Sequence, residues 1–316
     1  MPGADLNREL VVSARNPVAD DVVELVLASA DGLALPAWEP GAHVTLSLPE
    51  GLLREYSLCG PDTSDGTWTI AVHRAPDSRG GSRFVHDHLT VGTNVTVSGP
   101  ANNFPLAADE RQVLVAGGIG ITPILTMARA IRARGATVTM LYCGRSRSLM
   151  AYRDEIAAWG EPGVVLHADD ERGGPPDLSA FLDEHAGATV YCCGPEPLIA
   201  AVEKKAPAGS PVQVERFRGV AADTSEDEEF DVVVSGADQR VRVHVGESIL
   251  DALARAGFDV PSSCREGICG TCETAVVRGV PDHRDTVLGE EERADGELIM
   301  PCVSRSRTPE IELDLF

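Results

Sequence analysis

Four cysteines near the carboxy terminus constrain this chain more than any other feature. Cys264, Cys269 and Cys272 lie in the run Cys-Arg-Glu-Gly-Ile-Cys-Gly-Thr-Cys, and Cys302 follows thirty positions later. The C-x4-C-x2-C…C spacing is that of a plant-type [2Fe–2S] centre, in which four thiolates hold two irons. Gly267 and Gly270 fall between the ligands, where a tight loop must turn its backbone N–H groups towards sulfur with no Cβ in the way. A structural zinc site would show two C-x2-C pairs, and only one is present. A disulfide scaffold suits a short secreted chain, whereas this one has 316 residues and opens Met-Pro-Gly-Ala-Asp, without an apolar signal segment. The four thiolates are therefore expected to hold a cluster that moves electrons one at a time. Cys59, Cys143, Cys192 and Cys193 read as small buried hydrophobes of a reducing compartment.

The length predicts two or three domains, and a hydrophobic content of 43% is ample for their cores. No apolar run approaches the length of a membrane span, so a cytoplasmic protein without a membrane partner is expected. A net charge of −22 argues against nucleic acid as a partner, because the phosphates would repel it. Residues 220–316 hold 22 acidic and 9 basic residues, so the acidity is concentrated around the cysteines. A basic face on a protein partner would complement it, and ordinary solubility charge is the plain alternative.

Three patterns succeed one another along the chain. Residues 1–106 carry short β-prone runs (Glu9–Ala14, Val22–Leu27, His43–Leu48, Thr67–His73, Asn94–Ser98) separated by Gly, Pro and Asp turns, a pattern that predicts an antiparallel β-barrel. Residues 107–219 alternate strands with helices, which predicts an α/β domain with a parallel sheet. Residues 220–229, almost without large apolar side chains, read as a solvated linker. In residues 230–316 a hairpin around Gly236-Ala237-Asp238 and a helix over Ser248–Ala256 precede the cysteine loop, with strands at Thr274–Arg278 and Ile311–Leu315 beyond it.

Several segments carry further chemistry. Gly117-Gly118-Ile119-Gly120 after the strand Val113–Ala116 is a glycine turn opening a helix, with Thr122 as the expected N-cap and Pro123 at the first helical position. Free N–H groups there suit a pyrophosphate, and tight strand-to-helix packing is the alternative use of the same glycines. Arg145-Ser146-Arg147 follows the next strand, where arginine suits a 2′-phosphate, so NADH and NADPH both stay open. Arg54, Tyr56 and Leu58 alternate on one face of a strand, with Ser57 on the other. Arg79-Gly80-Gly81-Ser82 leads into a second helix N-terminus. His43, His73, His86, His88 and His283 lack the helical spacing of metal ligands.

Taken in order, Arg54-x-Tyr56-Ser57-Leu58, Gly80-Gly81-Ser82, Ala116-Gly117-Gly118-Ile119-Gly120-Ile121-Thr122-Pro123, Tyr191-Cys192-Cys193-Gly194-Pro195 and the cysteine loop resemble the phthalate dioxygenase reductase family over essentially the whole chain. The resemblance implies an FMN-binding barrel, an NAD(P)-binding α/β domain and a [2Fe–2S] ferredoxin domain of the β-grasp type. It assigns Arg54 to the flavin phosphate, Tyr56 to the isoalloxazine, Ser57 to flavin N5, Leu58 to the same cofactor-binding motif, and Ala71, Val72 and His73 to the strand lining the ring. Gly80, Gly81 and Ser82 match its phosphate loop. Gly117, Gly118, Gly120, Thr122, Pro123 and Gly194 match the pyridine-nucleotide site, with Arg145, Ser146 and Arg147 near its ribose. Cys193 would lie by the nicotinamide, and Phe217 would cover the flavin.

A nicotinamide gives up two electrons together, a [2Fe–2S] cluster accepts one, and a flavin can do both. The expected activity is thus that of a reductase component feeding a separate terminal oxygenase, either a Rieske-type enzyme or a cytochrome P450, from a monomeric chain. An FAD-containing reductase built from the same parts is an alternative, as is an electron-carrier or redox-sensing module without catalysis.

Overall fold

The computed structural model describes residues 7–315 apart from 62–65, 77, 79, 109, 110, 220–223, 226 and 238, and leaves the side chain of Glu50 undescribed. The expectations placed on Arg79, on Asp238 and on 220–223 and 226 of the linker lie outside these residues. The chain divides into two compact units, Met1–Arg216 and Phe217–Phe316.

The first unit begins with six strands, β1 (Arg8–Ala19), β2 (Val22–Ser29), β3 (His43–Leu48), β4 (Leu52–Ser57), β5 (Thr67–His73) and β6 (Asn94–Ala101), with α1 (Gly81–His88) between the last two. They form one antiparallel sheet in the order β4-β3-β6-β1-β2-β5. Leu58, directly after β4, bridges to Ile70 of β5, so the two edges of the sheet meet there. Alternation explains the curl: Leu25, Leu27, Val44, Leu46, Trp68 and Ile70 all turn inward and are fully buried. The indole N–H of Trp68 is satisfied by Pro36 O at 3.2 Å.

Beyond it come β7 (Gln112–Gly117), α2 (Ile121–Ala133), β8 (Met140–Gly144), α3 (Arg153–Ala158), β9 (Val164–Ala168), α4 (Asp169–Arg172), α5 (Leu178–Glu184), β10 (Thr189–Cys193), α6 (Glu196–Lys205) and β11 (Val212–Glu215). The five strands are parallel, in the order β11-β10-β7-β8-β9. Strand order therefore reverses between β7 and β10, and the crevice at that point is where open α/β sheets receive ligands. Val22, Cys59, Ala71 and Phe104 of the antiparallel half share one apolar cluster with Ile121, Ile124, Met127 and Tyr191. That shared core makes the two patterns a single unit. Among the described residues, no helix is long and apolar enough to cross a membrane.

The second unit contains β12 (Phe230–Val234), β13 (Gln239–Val243), α7 (Ile249–Arg255), β14 (Thr274–Arg278), β15 (Pro281–Asp282), α8 (Glu290–Asp295), β16 (Leu298–Ile299), β17 (Arg305–Ser306) and β18 (Glu310–Asp314). A mixed sheet in the order β13-β12-β18-β14-β16 packs Val232, Val234, Ile311 and Leu313 against Ile249, Leu250 and Leu253 of α7. Ser248 caps α7 by accepting the Asp251 N–H at 3.0 Å.

One stretch read as linker is anchored instead. The Asp227 side chain is 2% exposed and lies between Arg284 (2.6 Å) and Arg305 (3.4 Å), whose remaining donors bind main-chain carbonyls of Glu228, His244 and Glu247. Composition alone hid this, because an aspartate in an acidic stretch reads as solvated until its arginines, some sixty to eighty residues away in sequence, are brought to it. Removing one partner of a buried ion pair strands the other charges, at about 3–5 kcal/mol. Asp227→Ala should therefore lower the urea midpoint for unfolding of the second unit without changing the slope.

Candidate functional site

Three constellations emerge. The first joins β4 to α1. A Cβ on Gly81 would lie 2.7 Å from both Cγ and Nε of Arg54, so the arginine lies directly over that glycine. Gly80, at φ +99, takes a left-handed turn that only glycine adopts freely. The α1 N-terminus has no side-chain cap and no acidic residue in its first turn, so its N–H groups and the Arg54 guanidinium offer donors to one anion. Ser82 Oγ accepts from Ala75 N–H at 3.2 Å and thereby fixes the approach to the helix. A terminal phosphate fits this donor set. Tyr56, one alternation along from Arg54, is largely buried against the sheet core, and burial pushes its hydroxyl up to about 12 against the lowering effect of Arg54. Ala71 and Val72 are buried on β5, with His73 at its end, and the Val72 carbonyl is held by His86 Nε2 at 2.8 Å.

The second constellation occupies the crevice between β7 and β10. A Cβ on Gly120 would come within 2.3 Å of Cys193 O, and one on Gly194 within 2.9 Å of Gly117 Cα, so the two sequence motifs meet backbone against backbone. Gly118, at φ +55, has nothing within 4 Å of its would-be Cβ and faces open space. Thr122 is not the N-cap. A 3-10 turn over Gly118–Gly120 feeds α2, Gly120 is its cap residue, and Thr122 and Pro123 are the second and third helical residues. The Thr122 hydroxyl donates back to Ile119 O at 3.0 Å, and proline is tolerated because first-turn N–H groups have no helical partner. Arg147 is paired with Glu171 at 2.9 Å, Arg145 is exposed, and Ser146 lies 3.3 Å from Ser148 through their hydroxyls. Phe217 opens the second unit with its ring partly exposed.

Sequence reasoning missed Glu215, which joins the two halves. At the C-terminal end of β11, its Oε2 lies 3.4 Å from Ser57 Oγ and 4.0 Å from Cys193 Sγ. Burial pushes the carboxyl up to about 8, opposed by the Ser57 hydrogen bond. Burial likewise raises the Cys193 thiol, with Glu215 adding to the effect, so it stays protonated. The alternation Val212-Gln213-Val214-Glu215 ends in a carboxylate where parallel strands present ligands, and that was the available signal.

The third constellation is the cysteine loop. The thiols fall into two hydrogen-bonded pairs, Cys264 with Cys269 and Cys272 with Cys302. Among the described residues, no set of three or more His, Cys, Asp or Glu side chains is grouped to hold a single metal ion. Two pairs of soft donors suit a centre with two irons and two thiolates on each. In each pair one thiol is lowered, Cys269 to about 5 and Cys272 in the same direction, chiefly by the hydrogen bond from its partner. The Glu266 N–H donates to Cys264 Sγ at 3.3 Å, and Arg265, Gly267 and Gly270 all have positive φ. Cys264 and Cys269 are partly exposed, whereas Cys272 and Cys302 are buried.

Asp285 supports this loop and was not foreseen. Its fully buried carboxylate accepts from the Val287 and Leu288 N–H groups and from Ser304 Oγ at 3.0–3.2 Å. Its neighbour Thr286 donates N–H to Gly267 O at 2.9 Å. The cluster loop, the 285–288 segment and the chain just past Cys302 are thus tied together.

Comparison with known proteins accords with this geometry. Residues 114–204 match the oxidoreductase NAD-binding domain and residues 232–307 the 2Fe-2S iron-sulfur cluster binding domain. The toluene-4-sulfonate monooxygenase system reductase subunit of Comamonas testosteroni is 42% identical, over 97% of this chain and 98% of its own length. Among solved structures, phthalate dioxygenase reductase, described as a modular structure for electron transfer from pyridine nucleotides to [2Fe–2S], matches at a TM-score of 0.75 and 36% identity over 98% of both chains. An intact type IV self-sufficient cytochrome P450 monooxygenase matches at a TM-score of 0.83 and 38% identity, with 97% of this chain spanning 41% of that longer one. The chain is a multidomain NAD(P)H-dependent oxidoreductase with an NAD-binding and a [2Fe–2S] domain. It belongs to the phthalate dioxygenase reductase family.

Glu215 makes stability depend on pH. In the unfolded chain a glutamate ionises near 4.5, whereas the folded carboxyl keeps its proton to about 8, so between those values the folded state binds more protons and stability falls as pH rises. The slope should approach about 1.4 kcal/mol per pH unit. Glu215→Gln should flatten the dependence, as measured by equilibrium unfolding across that window.

Proposed function

We propose that this chain is the reductase component of an oxygenase system, passing electrons from NADH or NADPH through FMN and a [2Fe–2S] cluster to a separate Rieske-type oxygenase or cytochrome P450. The observation that carries this reading is the meeting of Ser57 and Cys193 at the Glu215 carboxyl, where the antiparallel half joins the parallel sheet. FMN, when bound, supplies the exchange between two-electron and one-electron chemistry.

The chain's own residues then have distinct tasks. Arg54 and the N-terminus of α1, with Gly80, Gly81 and Ser82, hold the flavin phosphate. Tyr56, Leu58 and the Ala71–His73 stretch bound the ring, and the Ser57 hydroxyl serves its N5 edge. The resemblance assigns Phe217 to the flavin as well. Gly117, Gly118 and Gly120 cradle the nucleotide pyrophosphate, Arg145, Ser146 and Arg147 border its ribose, and Cys193 and Gly194 bound the nicotinamide. Glu215, protonated near neutral pH, holds its proton beside Ser57 without adding a buried negative charge. Cys264, Cys269, Cys272 and Cys302 hold the cluster, and the partly exposed Cys264–Cys269 side is its outward edge.

This reading takes the antiparallel half (1–106) as a flavin-binding barrel, 107–219 as the nucleotide domain, 220–229 as the connection and 230–316 as a β-grasp ferredoxin domain. It also takes the protein to be a cytoplasmic monomer. Exposed Glu273, Glu290, Glu291 and Glu292 favour an oxygenase with a basic docking face.

Cys272→Ser should leave flavin reduction by NADH or NADPH largely intact, followed by bleaching of the flavin absorbance, and abolish transfer to cytochrome c and to the oxygenase. Equal transfer by the variant and the wild type would reject the electron path. A chain that leaves the flavin oxidised with either nucleotide would instead be a carrier. Acid release followed by chromatography distinguishes FMN from FAD. Oxygenase turnover should fall as salt rises, since a Debye length of about 10 Å at 0.1 M screens exposed charges; a flat response would reject electrostatic docking.

A further inference from the structure

A second polar cluster lies in the first unit, on the boundary between its antiparallel and parallel halves. Tyr152 stands at the start of α3 with φ 56, a left-handed conformation that bulky residues rarely adopt. The turn carries its side chain across the boundary. Its hydroxyl donates to Glu24 Oε2 at 2.8 Å and lies 3.3 Å from Cys59 Sγ. Glu24 Oε1 accepts from Asn16 Nδ2 at 3.1 Å. On the parallel side, Arg129 of α2 donates Nη1 to Cys59 O at 2.6 Å and grips Glu155 of α3 through Nε and Nη2 at 2.9 and 2.7 Å.

What these groups hold gives the cluster its meaning. Glu24 is the register partner of Ala71 on β5, and Cys59 follows Ser57-Leu58 at the exit of β4. One hydroxyl therefore holds β2, the strand on which β5 is registered, and the chain just past β4, so it reaches both strands assigned to the flavin ring through their immediate neighbours. Arg129 belongs to the helix that opens at Gly118–Gly120, and Glu155 to the helix that Tyr152 begins. Elsewhere along the boundary, Ser57 Oγ at the end of β4 donates to Glu215 Oε2 at 3.4 Å, Asp20 N–H to Ser148 O at 2.9 Å and Gly41 N–H to Thr126 Oγ1 at 3.4 Å, and none of these three involves β5 or its register partner Glu24.

We infer that Tyr152 is a positioning residue for hydride transfer: its hydroxyl, bound to Glu24 and beside Cys59, fixes the flavin-bearing strands against the nucleotide-bearing helices and so sets how the nicotinamide meets the flavin. The inference rests on the proposed flavin and nucleotide sites. Tyr152 touches neither ligand in this reading. It acts through the strands, and a small error in the approach of two reacting rings is costly in rate.

The test is Tyr152→Phe in the full chain loaded with FMN. In stopped flow, the limiting rate of flavin reduction by NADH should fall about tenfold and the long-wavelength charge-transfer absorbance should weaken, with FMN content and KM for NADH within about twofold of wild type. Glu24→Gln, whose amide oxygen still accepts from Tyr152, should retain the wild-type rate. In the flavin-free variant, hydrogen exchange of the Asp20 amide should speed up, a readout independent of any chemistry. If the phenylalanine chain does not fold, Glu24→Leu removes the acceptor from the other side and carries the same expectations. A variant reduced at the wild-type rate with an unchanged charge-transfer band overturns the inference, as does a loss of rate that merely follows loss of FMN. A wild-type chain that binds FMN and is reduced by neither nucleotide overturns the proposed function itself, and that result does not depend on any variant.

Discussion

The backbone contact between the glycine turn after β7 and the Cys193-Gly194 segment after β10 is the constraint on which the first unit depends. With Cys193 O where a Gly120 Cβ would sit at 2.3 Å, the two strand ends can approach only as glycine against bare main chain. This approach brings the start of α2 to the crevice between β7 and β10 and directs Cys193 towards Glu215. It also lets Val22, Cys59 and Ala71 of the antiparallel half share a core with α2. A methyl group at position 120 would separate the motifs before disturbing either one.

Much of this was legible because it is local. The cysteine spacing, the glycine turns, the period-two runs that became β3 and β5 and the capped helix after Ser248 depend on neighbours in sequence, and each appears where its residues predict it. The Thr122 cap failed for a local reason too: a 3-10 turn over the preceding glycines started the helix two residues early and returned the hydroxyl to Ile119 O. What sequence could not reveal was long-range. Glu215 gains its significance from Ser57, 158 positions away, and Asp227 from arginines brought to it by folding. Asp285 is an undistinguished aspartate until its carboxylate is seen joining the 285–288 segment to Ser304 just past Cys302. In each case a carboxylate that composition counts as surface charge is drawn inward with help from a partner well removed in sequence, Ser57 for Glu215, the two arginines for Asp227 and Ser304 for Asp285.

The two units solve different problems. In the first, apolar burial makes a continuous body of two supersecondary patterns, and polar side chains on the boundary set its alignment. In the second, the cysteine loop has little regular structure of its own. Its shape is held by residues with positive φ and by hydrogen bonds from Glu266, Thr286 and Ser304. A rigid thiol arrangement keeps the cost of rearrangement low when an electron arrives or leaves.

The anchoring of Asp227 has a further consequence. Gly219 donates its N–H to Glu266 Oε2 at 3.1 Å and has no room for a side chain beside Glu266 O, so the chain is fastened to the second unit at Gly219 and again at Asp227. The stretch that composition assigns to a linker is thus pinned at two points by the unit that bears the cysteines, and loss of either contact is felt within that unit.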